Sequence, residues 1–258
     1  MGRWGLTVGD PFAGSHVSLV LPATRSDGID VVLKIQWPHR ESEHEADALE
    51  AWRGNGAVML LDHDAEAHAM LLERCVPGSH LSTVGDVEAL DVLTELLPRL
   101  WIPADSSLGT LADEAAWWAG ELAEQFERAG RPFVRSWLDL ALVALRDLPS
   151  SQGEQVVLHQ DLHPDNVLRA SRESWLAIDP KPLAGEREFS VAPIVRAYEL
   201  DDAEGAVLRR LDRLTAELDL DRERACLWTI AQTMAWGFDG GGADPWHVQV
   251  IEWLAGSV

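Results

Sequence analysis

Hydrophobic positions change their period once along this chain. Up to about residue 75 they fall in short runs rich in β-branched and aliphatic side chains; beyond Pro77-Gly78 they recur every three to four residues over longer stretches. The runs 17–22 and 30–35, separated by the turn signal Ser26-Asp27-Gly28, predict a hairpin, and 6–11 supplies a strand before it. Segment 41–52 switches to helical spacing, with Ala46, Leu49 and Trp52 apolar, and Gly54-Asn55-Gly56 stops it. The runs 58–61 and 69–72 predict two further strands joined by the polar segment 62–68.

In the second part, 84–100, 111–128 and 133–148 carry the helical spacing, interrupted by Pro103 and by Gly130 with Pro132. The brief apolar runs 156–159 and 175–178 each end in a polar cluster and predict a short strand pair, after which helices resume from 194 to the end. The pattern describes an α+β protein of two lobes. Residues 1–75 form a small antiparallel lobe with one helix, and 76–258 a larger, mainly helical one.

Composition narrows the partners. With 258 residues, 47% hydrophobic and 25% charged, the chain is that of a soluble globular protein of one large or two closely joined small domains. No stretch approaches the roughly 20 apolar residues needed to span a bilayer, and the first ten residues lack the order of a signal peptide, so a cytoplasmic location is expected. Cys75 and Cys226 are expected to be reduced and structural. A net charge of -22 argues against a nucleic-acid partner and would attract a polycationic molecule. It also requires that any phosphate be held by locally placed cations, backbone amides or metal ions.

The chemistry concentrates in His159-Gln160-Asp161-Leu162-His163-Pro164-Asp165-Asn166, followed by Ile178-Asp179-Pro180-Lys181. Phosphoryl transfer needs an aspartate that orients the hydroxyl, and an asparagine and second aspartate that hold Mg2+ on the polyphosphate. Asp161, Asn166 and Asp179 fit those roles in order and separation. Two other readings of the stretch are a hairpin whose Asp and Asn residues cap turns, and a zinc site made of His159, Asp161, His163 and Asp165. The phosphoryl-transfer reading demands a lysine on the third strand and a glutamate on the next helix. Lys34, one of only two lysines in the chain, ends Val31-Val32-Leu33-Lys34-Ile35, and Glu45, four residues before Leu49, is its natural partner over Glu41 and Glu43. Phe12-Ala13-Gly14-Ser15-His16 lies where a phosphate-covering loop belongs, with backbone amides of Gly14, Ser15 and His16 available to phosphates; with its single central glycine, the segment taken alone reads equally well as a bare hairpin turn. Leu72-Glu73-Arg74-Cys75-Val76 sits where the lobes join, so that the backbone from Glu73 to Cys75 is placed to meet an adenine.

These segments, together with Gly56-Ala57-Val58 and the run Ile178-Asp179-Pro180-Lys181-Pro182-Leu183 followed by Gly185, resemble the aminoglycoside 6-phosphotransferase and hydroxyurea phosphotransferase family over nearly the whole chain. The resemblance implies a protein-kinase-like fold, ATP as donor and a hydroxyl of a small, cationic drug or metabolite as acceptor. It implies Asp161 as catalytic base, Asn166 and Asp179 as Mg2+ ligands, and Lys34 paired with Glu45 as the phosphate contact. Members of that family usually carry a helical segment before the first strand, whereas this chain starts almost at that strand, and an aspartate is common near Ser190. Alternatives are a kinase of a primary metabolite such as an amino sugar or choline, and a nucleotide-binding regulatory module without activity. A protein kinase fits poorly, since about a dozen residues separate Asp179 from Ala192-Pro193. Acceptor recognition falls to acidic candidates Asp113, Glu114, Glu121, Glu199, Asp201, Asp202 and Asp239. Trp117, Trp118, Trp228, Trp236 and Trp246 are either pocket walls or, for most of them, core.

Overall fold

The computed structural model describes residues 3–13, 17–238 and 240–258. Five antiparallel strands form the first sheet: β1 (Thr7–Val8), β2 (Ser18–Thr24), β3 (Asp30–Gln36), β4 (Leu60–Asp64) and β5 (Ala69–Glu73), in the order β1-β2-β3-β5-β4. The β2–β3 hairpin is closed by Gly28, which sits at φ 83°, a conformation glycine adopts without strain, and which donates to Arg25 O. Strand alternation splits the sheet into two faces. Ala23, Val31 and Leu71 pack with Trp4, Leu6 and Leu33 on one side. On the other, Met70 and Leu72 join the main core beneath α1 (Glu45–Trp52), which buries Ala48, Leu49 and Trp52.

Two sequence expectations shift here. The helix begins at Glu45 and not at 41, because Arg40–Ser42 forms a separate 3-10 turn and His44 takes a non-helical conformation at φ -112°, ψ 13°. The apolar run at 58 is not a sheet strand. Ala57 and Val58 are buried against the second lobe, Val58 N donating to Ala177 O at 3.0 Å and Ala177 N to Gly56 O at 2.9 Å. Its hydrophobicity serves docking between lobes, and β4 starts two residues later.

The second lobe contains α2 (Asp86–Leu100), α3 (Leu111–Arg128), α4 (Arg135–Asp147), α5 (Ala192–Val195), α6 (Glu204–Glu217), α7 (Arg222–Ala235) and α8 (Pro245–Ala255). Thr110 caps α3 by accepting from Asp113 N at 3.0 Å. Helix α7 is central, burying Trp228, Ile230, Gln232 and Met234 among others, and packs against α4, α5, α6 and α8. In place of one short strand pair there are two. Strand β6 (Val156–Leu158) pairs with β9 (Leu183–Gly185), and β7 (Val167–Arg169) with β8 (Trp175–Ala177). The polar segments 159–166 and 178–182 run between these pairs and are tied together by Lys181 N to His159 O at 3.0 Å and Ile178 N to Asn166 O at 2.9 Å. Ser190, where the resembling family commonly has an aspartate, is buried and anchored by Trp101, whose Nε1 donates to its Oγ at 2.9 Å. Among the described residues no helix is long and apolar enough to cross a membrane.

Candidate active site

Alternation along β3 turns Lys34 to the same face as Val32, toward α1, where the residue is 5% exposed. A buried lysine is costly unless paired, and here it is paired twice. Nζ donates to Glu45 Oε1 at 2.8 Å and Oε2 at 2.6 Å, and also to Asp179 Oδ1 across the cleft. Burial opposes the lysine charge, but Glu45 and Asp179 outweigh it and hold Lys34 above the ordinary lysine range. Glu45 feels the opposite balance: complete burial pushes its carboxyl up to about 7 against the pull of Lys34.

On the other side of the cleft, β6 delivers the chain to Gln160 and β8 delivers it to Asp179. Both residues adopt left-handed backbone, φ 66° and 56°, which side chains with a Cβ rarely do. Such strain persists where surrounding contacts over-determine it. It aims Asp161 and Asp179 into the same space. The side chain of Asp161 is 13% exposed and Oδ2 accepts from Lys181 Nζ at 2.8 Å and from Asn166 Nδ2 at 3.3 Å. Burial pushes the Asp161 carboxyl up, but Lys181 and His163 outweigh it and keep it below the usual range. Asp179 is likewise lowered, burial being outweighed by Lys34.

Asn166 donates from Nδ2 to Asp161 O at 2.9 Å as well, which spends its nitrogen on the loop and leaves its oxygen for a cation. The side chain of Asp179 is 48% exposed, with one oxygen on Lys34. A small all-oxygen donor set open to the cleft suits Mg2+, which binds one or two protein oxygens together with phosphates and water. The zinc alternative does not survive the geometry. His159 is buried, stacked on Trp52 at 6.0 Å and bonded through Nε2 to Ile178 O; His163 pairs with Glu199; and Asp165 accepts from Ser82. Only His163 and Asp161 of the four approach each other, at 3.8 Å, each held by another partner, and none of the described residues form a metal-holding His/Cys/Asp/Glu cluster.

Of the connecting segment, Glu73 is committed elsewhere. Its carboxylate accepts from Arg172 Nε at 2.8 Å, Arg172 Nη2 at 2.9 Å and Met59 N at 3.0 Å, and its own N–H donates to Met59 O. Cys75 is half-buried, its thiol pushed up to about 12 by burial and by Glu73. Gly14, Ser15 and His16, like Asp239, lie outside the described residues. The loop holding them is bracketed by Phe12 N to Val20 O at 2.9 Å and Trp37 N to Val17 O at 3.0 Å.

The acidic candidates separate clearly. Asp113 and Glu114, with Glu41, Glu43, Gln160 and Lys181, line a cavity of about 90 Å³ beside Asp161. Glu199 sits next to the 159–166 loop through His163, whereas Glu121, Asp201 and Asp202 are exposed elsewhere. Trp118 and Trp228 are core, as expected for most of the tryptophans. Trp236 is not: it lies between two cations, Lys181 and Arg196, each 4.7 Å from its ring. Sequence reasoning named Trp236 as one of five possible pocket walls but missed the placement of Lys181, Arg196 and Glu41. Only the scarcity of lysine hinted at the first.

A kinase-like pair of lobes with two carboxylates and two ammonium groups facing one cleft defines a small-molecule phosphotransferase. The family model described as aminoglycoside/hydroxyurea antibiotic resistance kinase matches residues 3–239, and the chain belongs to that family. It is 39% identical to a streptomycin 6-kinase of Streptomyces glaucescens, over 99% of this chain and 87% of that protein. It is 40% identical to a hydroxyurea phosphotransferase of Kitasatospora aureofaciens, over 93% of this chain and 71% of that one. Among solved structures, the fold resembles a choline kinase of Streptococcus pneumoniae, with a TM-score of 0.67 at 15% identity over 96% and 94% of the two chains.

Proposed function

We propose that this kinase moves the γ-phosphoryl group of ATP to a hydroxyl of a cationic aminocyclitol of the streptomycin type, in the cytoplasm. The observation that carries the reading is the Lys34–Glu45–Asp179 bridge facing Asp161 and Asn166 across one cleft. Residues 1–75 serve as the nucleotide-binding lobe, with the backbone of Gly14, Ser15 and Cys75 along the nucleotide and Glu73 bracing the joint through Met59 and Arg172, and 76–258 carry the catalytic loop and acceptor site. Lys34, fixed by Glu45, takes a phosphate oxygen. Asn166 and Asp179 hold Mg2+, which, when bound with ATP, spreads the charge of the polyphosphate. Asp161 aligns the acceptor hydroxyl and receives its proton as the oxygen bonds to phosphorus.

Two observations favour a cationic acceptor over neutral hydroxyurea. The cavity beside Asp161 sets four carboxylates, Glu41, Glu43, Asp113 and Glu114, against two permanent cations, Arg40, which pairs with Glu114, and Lys181, and so is net acidic, and the streptomycin 6-kinase relative aligns over more of its own length than the hydroxyurea one. The test is Mg2+-dependent ATP consumption with streptomycin, hydroxyurea, amino sugars and choline offered in parallel. Streptomycin-dependent turnover is expected, falling at least about 1,000-fold in Asp161→Ala while ATP binding stays within about threefold. Turnover with choline or amino sugars alone would reassign the acceptor, and ATP binding without any turnover would favour the regulatory module.

A further inference from the structure

Nineteen of the chain's twenty-one basic residues are arginines; the two lysines are Lys34 and Lys181, and both lie in the cleft. Lysine is therefore used only here. An ammonium differs from a guanidinium in being a compact point charge with three donors set tetrahedrally, able to serve partners in different directions.

The surroundings of Lys181 fix that charge from several sides. Its backbone N–H is bonded to His159 O, the first residue of the catalytic loop, so its position moves with that loop. Its Nζ donates to Asp161 Oδ2 at 2.8 Å, lies 3.7 Å from Glu41 Oε2 of the first lobe, and stands 4.7 Å above the ring of Trp236. Trp236 is backed on the same network by Arg196, which donates to Gln232, whose Nε2 in turn donates to Gln160 O at 3.0 Å. The network starts and ends on the loop that carries Asp161. A lysine with merely a surface role would need none of this.

We propose that Lys181 is the positioning residue of Asp161: it holds the carboxylate in line with the acceptor hydroxyl, with Trp236 as the platform that keeps the ammonium in place. Its ammonium is engaged by Asp161, faces Glu41 and rests on the Trp236 ring, so that it acts on the reaction through the carboxylate it holds. The inference rests on the phosphotransfer reading above. It differs from the role of Lys34, which is fixed by Glu45 on the nucleotide side of the cleft.

The test compares Lys181→Met, Lys34→Met, Asp161→Asn and the double variant Asp161→Asn/Lys181→Met, using ATP with streptomycin. Lys181→Met is expected to lower kcat by about 100-fold or more while the ATP KM stays within about threefold, in contrast to Lys34→Met, which raises the ATP KM. Because Lys181 acts through Asp161, its loss is expected to cost less than about threefold when Asp161 is already asparagine. Lys181→Cys alkylated with 2-bromoethylamine restores the ammonium and is expected to recover turnover, whereas alkylation with iodoacetamide does not. This arm also serves should Lys181→Met fail to fold. An unchanged kcat in Lys181→Met, a full additional loss in the Asp161→Asn background, or equal recovery with both alkylating agents would overturn the proposal. If the wild-type enzyme turns over with none of the acceptors, the phosphotransfer reading falls and this one with it; if it turns over and the variants behave otherwise than stated, only this one falls.

Discussion

His159 shows how a residue that looks catalytic is retained for folding. Its ring is buried against Trp52, Nε2 donates to Ile178 O at 3.0 Å, and Nδ1 finds no partner among the described residues. Burial, opposed by Asp161 and Asp179, lowers its pKa to about 4 from an ordinary 6.5. Between those values the unfolded chain binds a proton that the folded one refuses. The stability from neutral His159 is thus fully present above pH 6.5 and is lost as pH falls toward 4. A depression of this size corresponds to about 3 kcal/mol as an upper figure. Urea melts at both ends of that window should therefore show wild type losing about 3 kcal/mol more than His159→Gln, which has no titrating ring. Parallel loss in the two proteins would mean that the ring already charges in the folded state. By contrast Asp161, two residues on, has its charged form favoured by Lys181, and so the same short loop holds one group neutral and the next ionised.

Among elements, the junction of α7 with β9 depends on a buried carboxylate that sequence patterns do not reveal. Glu186, 2% exposed, accepts from Trp228 Nε1 and from Arg224 Nε at 2.7 Å, while Arg224 reaches Leu148 O at 2.7 Å and Ser151 Oγ at 3.1 Å. Removing one partner of such a buried pair strands the other, so Glu186→Ala should cost about 3 kcal/mol and lower Tm by on the order of 10 °C, with less loss in Glu186→Gln. Calorimetry of the two variants decides it; equal, small losses would show that the charge is not needed. The elements themselves were legible where local chemistry sets their ends. Segment 111–128 was predicted to the residue because Thr110 caps it and Gly130 stops it. Lys34, Glu45, Asp161, Asn166 and Asp179 were legible as residue types in a fixed order. What was not legible depends on the tertiary fold. Strand β9 is three residues long beside a proline, its Gly185 packed so closely that a Cβ would stand 2.7 Å from Leu111 and Leu158 side chains. Lys181 reaches Asp161 only because two loops are stitched together.

Taken whole, the molecule is two lobes that share one apolar core, are pinned by charged contacts across the cleft, and are immersed in their own negative field. Arg172, on the turn between β7 and β8, grips Glu73 together with Gly54 O and Ala57 O, while Lys34–Asp179 and Lys181–Glu41 span the cleft itself. The basic groups at the reaction centre are buried or partly buried, so salt screens them little. The net charge of -22 is spread over the exterior and is screened strongly. Its two substrates, on the reading above, carry opposite signs. The field draws in a cationic acceptor and repels the nucleotide, whose binding relies on short-range contacts at Lys34. Raising ionic strength from about 0.01 M to about 1 M shortens the Debye length from about 30 Å to about 3 Å. Over that range the acceptor KM should rise severalfold while the ATP KM falls or holds, with kcat little changed because the buried contacts persist. Initial rates with each substrate varied in turn at several salt concentrations measure this directly. A shared rise in both KM values would point to salt loosening the lobes. An acceptor KM indifferent to salt would mean that the acidic exterior does not steer the acceptor, leaving only the wall beside Asp161 to select its charge.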